Sequence, residues 1–77
     1  EREWENYICN MAWGNVKDTF TEKVHEVYAQ LQKGIDCDLI ADNIGIKRNT
    51  VYVYRKRIQE KMYSEIRFLN KQLGGEA

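Results

Sequence analysis

The sequence predicts an all-α fold of four helices, with a helix-turn-helix joining the third to the fourth. Three observations lead there. The 77 residues contain no proline and long runs of good helix formers. Apolar residues recur at the three- and four-residue spacings of a helix face, not at the alternation of a strand. Glycines fall where helices should stop, at Gly34, Gly45 and the pair Gly74-Gly75.

Helix one is expected over residues 2–17. Cys9, Trp13, Val16 and Phe20 follow one another at helical spacing and read as its core face. Trp4, Tyr7, Ile8 and Met11 form a second stripe turned away from the first. A helix apolar on two sides must be covered twice, by its own domain and by something else. Asp18 and Thr19 interrupt the pattern. Thr21 then suits the N-cap of helix two (21–33), with Glu22 adding favourable charge to the first turn. Val24, Val27, Tyr28 and Leu31 make its buried stripe, and Gly34 ends it.

Helix three is expected over 36–43, capped by Asp36 and carrying Leu39, Ile40 and Ala41. Ile44-Gly45-Ile46 reads as a tight turn, because glycine takes the left-handed conformation at little cost. Helix four then opens at Lys47 and meets no breaker before Gly74-Gly75, so it is expected over 47–73. Val51, Tyr54, Ile58 and Met62 share its inner face, and Ile66, Leu69 and Leu73 continue that stripe. At 1.5 Å per residue such a helix is about 39 Å long, more than the width of a domain this small. Its tail must fold back or meet a partner. We expect folding back, with Ile66 or Leu69 against Trp4, Tyr7 or Met11.

One domain over residues 1–77 is what this length allows, with the helix-turn-helix at about 36–60. Hydrophobic content of 43% and charged content of 31% suit a folded, water-soluble domain. No apolar run approaches the roughly 20 residues needed to cross a bilayer, so no membrane partner is expected. No secretory leader is visible. The chain starts at Glu1 and not Met, and we expect it to be excised from a longer, cytoplasmic protein. Cys9 and Cys37 lack metal-ligand spacing and read as reduced thiols. His25 reads as a solvent-facing helix residue. No Ser/His/Asp or Cys/His set and no glycine-rich phosphate loop is present. The expectation is therefore binding without catalysis, metal or cofactor.

Net charge is zero, but it is unevenly placed: −3 over residues 1–30, −2 over 31–46 and +5 over 47–77. The excess gathers in Lys47, Arg48, Arg55, Lys56, Arg57 and Lys61. Opposite its apolar stripe, helix four presents Tyr52, Val53, Lys56, Arg57 and Glu60. A basic and aromatic outer face on the second helix of a helix-turn-helix suits the DNA major groove. Lys47, Arg48, Asn49 and Thr50 lie at its N-terminus, where amides and the helix dipole suit phosphate. Lys56 and Arg57 can pair with guanine, and Tyr52 and Val53 lie beside them, Val53 suiting a thymine methyl. Arg55 lies near the core stripe and should snorkel to its edge.

The pattern Gly34, Leu39-Ile40-Ala41, Ile44-Gly45-Ile46, Asn49-Thr50-Val51 and a basic helix resembles region 4 of sigma-70 family factors. Glu3-Trp4, Phe20 and the long tail after Arg57 make the extracytoplasmic-function (ECF) group the closer likeness. Two positions depart from its pattern: Lys47 stands where Ser or Thr usually caps the recognition helix, and Leu39 where Glu is usual. The resemblance implies a wingless four-helix domain with a long C-terminal recognition helix that reads the −35 promoter element in transcription initiation. It also implies docking on the β flap of RNA polymerase and an anti-sigma factor as a further partner. LuxR-type output domains share the Ile-Ala, Thr-Val and basic-helix pattern and are the alternative. A rival of another class is a protein-interaction module working through Trp4, Tyr7 and Trp13.

Overall fold

The computed structural model describes residues 2–74, excepting the side chains of Arg2, Leu73 and Gly74. Four α-helices follow one another: α1 (Arg2–Val16), α2 (Glu22–Gln32), α3 (Cys37–Ile44) and α4 (Arg48–Leu69). A 3-10 turn, Lys17–Thr19, follows α1, and a π-helical turn, Asn70–Gly74, ends α4. No strand occurs among the described residues. The expected boundaries agree to within a residue except at the end of α4, where the last turn loosens. The expectations placed on the side chain of Leu73 and on Gly75 lie outside the described residues.

The chain divides into two compact units. One takes the residues up to Thr19 with those from Glu60 onward; the other is Phe20–Gln59. In the second, Val27, Cys37, Ile40, Ala41 and Val51 form a core wrapped by Leu31, Ile35, Ile44, Ile46 and Tyr54. Ile40, Val27 and Val51 are wholly enclosed, so α2, α3 and α4 each contribute one fully buried β-branched side chain. On α2, Val24 is also buried while Tyr28 is half-buried, as the helical stripe requires. His25, expected in solvent, is half-buried beside that stripe.

Turns fix how these helices meet. Gly34 follows α2 at φ 78°, and the Ile35 amide donates back to the Gln30 carbonyl at 3.1 Å. Gly45 caps α3 at φ 80°, where its amide and that of Ile46 both donate to the Ala41 carbonyl, at 2.8 and 3.1 Å. This left-handed cap ends α3 within eight residues and lets α4 start three residues later. Thr21 and Asp36 hold the expected N-cap positions in extended conformation, but neither side chain bonds to a helix amide. Asn43 Nδ2 donates to Gln30 Oε1 at 2.9 Å and ties α3 to α2.

The first unit corrects the reading of helix one. Its buried row is Ile8, Ala12 and Val16, lying between the two stripes expected from the larger side chains. Cys9, Met11 and Trp13 flank this row half-buried. Ala12 is fully enclosed, and its short side chain permits close approach of another helix. Met62 and Leu69 are the buried residues that α4 supplies here, with Ile66 half-buried. Asn15 Nδ2 donates to Glu65 Oε2 at 2.9 Å, so α1 lies beside the tail of a helix that itself stays unbroken to Leu69 and does not fold back. This packing leaves Trp4 and Tyr7 exposed, their rings in contact at a 35° tilt with centroids 5.7 Å apart. Thr19 Oγ1 closes the end of α1 by donating to the Val16 carbonyl at 2.7 Å.

Candidate nucleic-acid interface

The outer face of α4 is a consequence of its inner one. Val51 and Ile58 are buried two turns apart, and Tyr54 packs half-buried between them. Residues on the opposite side then have nowhere to go but solvent. Tyr52 and Val53 are 41% and 46% exposed, large values for residues whose bulk is apolar. Lys56, Arg57 and Glu60 are exposed one and two turns further on. Lys47, Arg48 and Asn49 are exposed at the N-terminus, and Thr50 is half-buried against the turn. Arg55 is exposed at the border of the core stripe. All the residues expected to touch DNA therefore lie on one helix and its leading turn, inside one compact unit.

Arg48 is the best-defined of them. Its Nε lies 2.7 Å from Asp38 Oδ1, in an ion pair joining the first turn of α4 to the first turn of α3. Its Nη2 makes a long hydrogen bond of 3.5 Å to the Tyr52 hydroxyl, and its guanidinium carbon stands 5.5 Å from the Tyr52 ring centre. That distance is within cation–π range. Its pKa is raised first by the hydrogen bond to Tyr52 and next by the charge of Asp38. Sequence reasoning missed Asp38. The signal available was that the first turn of α4 holds no acidic residue to balance Lys47 and Arg48. Leu39, next to Asp38, is 54% exposed, in keeping with a position where Glu is usual.

Beyond this face, Tyr63 and Phe68 are exposed on the tail of α4. Among the described residues no group of three or more His, Cys, Asp or Glu side chains is placed to hold a metal ion. None of the described helices is long and apolar enough to cross a membrane.

The GerE family, described as bacterial regulatory proteins of the luxR family, matches residues 18–66. The chain belongs to this family. The matched segment runs from the turn before α2 into the tail of α4 and contains the whole helix-turn-helix. For a LuxR-family chain, sequence-specific binding of double-stranded DNA in transcription regulation follows, in a family of regulators and not of enzymes. The match favours the LuxR-type alternative over the ECF likeness: sigma region 4 is related to this family, but nothing in the match is specific to ECF factors. Neither a curated protein nor a solved structure matches the LuxR-family chain.

Proposed function

We propose that residues 1–77 act as one DNA-reading module of a cytoplasmic transcription regulator, with α4 laid in the major groove. One observation carries this reading. Tyr52, Val53, Lys56 and Arg57 are all exposed on the face opposite a buried Val51–Ile58 stripe, in a chain of LuxR family. Lys56 and Arg57 supply donors for guanine O6 and N7, and Val53 supplies apolar contact for a thymine methyl. Lys47, Asn49 and Thr50 sit where the helix N-terminus attracts phosphate. The family match supports a LuxR-type output domain.

The ECF sigma reading is the second, and a separate observation favours it. α4 runs unbroken to Leu69, and an additional helix, α1, lies in one unit with its tail. That extension suits a domain docked on the RNA polymerase β flap while α4 reads a −35 element, with an anti-sigma factor able to cover it.

The test is a fluorescence-anisotropy titration of the full chain against a duplex selected from a random pool and a scrambled duplex, at several salt concentrations. Lys56→Ala and Arg57→Ala should each cost about 1–3 kcal/mol on the selected duplex if the side chain makes a bidentate base contact. Lys33→Ala, at the far end of α2, should change nothing. If Lys56 and Arg57 can both be replaced without altering the preference, α4 is not the reader. Binding of isolated RNA polymerase β flap separates the two readings, since only the sigma reading requires it.

A further inference from the structure

The expectation for Arg48 was a phosphate contact at the head of α4. Its surroundings point elsewhere. Of its donors, Nε is directed to Asp38 and Nη2 to the Tyr52 hydroxyl, with the guanidinium set against the Tyr52 ring. Asp36 adds a second negative charge that acts on Arg48. A phosphate approaching this guanidinium finds Nε already taken by the Asp38 carboxylate and meets the repulsion of that charge, with Asp36 adding to it more weakly. Tyr52, meanwhile, lies one helical turn after Arg48 on the face with Val53 and Lys56. A tyrosine side chain held before binding loses less rotational freedom on docking.

We propose that Asp38 and Arg48 are specificity determinants: Asp38 holds Arg48 away from the phosphate backbone and against Tyr52, making Arg48 a positioning residue that presents the Tyr52 ring and hydroxyl to a base edge. This rests on the reading of α4 as the major-groove helix. The design exchanges one phosphate contact for a fixed aromatic group. It also supplies the anion that the first turn of α4 lacks, since Asp38 offsets the combined positive charge of Lys47, Arg48 and the helix N-terminus.

Three substitutions separate this from a phosphate contact, using the full chain, the selected duplex and its scramble. Arg48→Ala should reduce the preference for the selected duplex by about 5- to 150-fold, the range for one good base contact, with the salt slope unchanged. Asp38→Asn should release Arg48 to the backbone. Binding to both duplexes should then tighten, the slope of log affinity on log salt should steepen by about 0.9, and the preference should narrow. Arg48→Lys keeps the charge but loses the planar fork, so it should behave like Arg48→Ala in preference. A flattening of the slope by about 0.9 in Arg48→Ala, cured by Arg48→Lys and with preference intact, makes Arg48 a phosphate contact and overturns the proposal. So does an unchanged slope in Asp38→Asn. If Lys56→Ala loses preference while Arg48→Ala keeps it, the major-groove reading survives and only the positioning role falls. A wild-type chain that does not distinguish the two duplexes overturns both. Both side chains, Asp38 and Arg48, are solvent-exposed, and helical circular dichroism should match the wild type throughout.

Discussion

Replacing Gly45 by alanine tests the turn on which the helix-turn-helix depends. The backbone there sits at φ 80°, in the left-handed region. A methyl group built at Gly45 would meet no heavy atom within 4 Å. Steric collision therefore contributes nothing, and the cost is conformational. Holding an L-residue left-handed costs about 1–2 kcal/mol. Alanine also narrows the unfolded ensemble, which offsets about 0.4–1 kcal/mol of that. The net loss should be about 0–1.6 kcal/mol, and Gly45→Asn should lose less, because asparagine tolerates this region. A domain of this size is stable by only about 4–12 kcal/mol, so such a change is measurable. Urea unfolding followed by circular dichroism is the assay, with the slope on denaturant expected to stay constant. Both amide bonds to the Ala41 carbonyl survive the substitution, so the folded variant should bind the selected duplex as the wild type does. A loss beyond about 3 kcal/mol would show that the side chain does collide, and the account of an open turn would fall.

Two further outcomes follow from the packing. Ile40→Ala removes a wholly enclosed side chain touching the core of α2, α3 and α4, and should cost about 2–5 kcal/mol in the same urea assay. A loss under about 1 kcal/mol would mean the site collapses freely, against its complete enclosure. Asn15→Ala breaks the exposed bond to Glu65 and should cost at most about 1 kcal/mol, leaving DNA binding as it is.

The legible parts of the fold were those where side-chain period and glycine position agree. α2 and α4 were readable because Val24, Val27, Val51, Ile58 and Met62 are apolar, periodic and buried. The turn was readable because Gly45 stands between two apolar residues that both tuck inward, Ile44 and Ile46. Helix one was harder for a physical reason. Trp4, Tyr7 and Trp13 carry most of its apolar area, yet the helix seats itself on Ile8, Ala12 and Val16, where a short side chain allows close approach. Caps were overread: Thr21 and Asp36 have the right backbone, but their side-chain oxygens do not reach the amides. Of the candidate site, the exposed side of α4 follows from its period alone. The pairing of Arg48 with Asp38 does not, because it crosses a turn and depends on how α3 and α4 meet.

The two cysteines fall one to each compact unit, and they differ in access. Cys37 is buried in the core of α3, whereas Cys9 is half-buried on α1. A thiol reacts as its thiolate and only when a reagent can reach it. Labelling kinetics with an aromatic disulfide should therefore run as two separate clocks. Cys9 should report openings around α1, and Cys37 should stay silent until α3 leaves its neighbours. Under fast closing, the Cys37 rate divided by that of an unstructured thiol is the equilibrium fraction of time the helix-turn-helix spends open. The chain thus carries its own gauge of how firmly its reading head is held. A duplex that binds only the closed form should slow Cys37 in proportion to its occupancy.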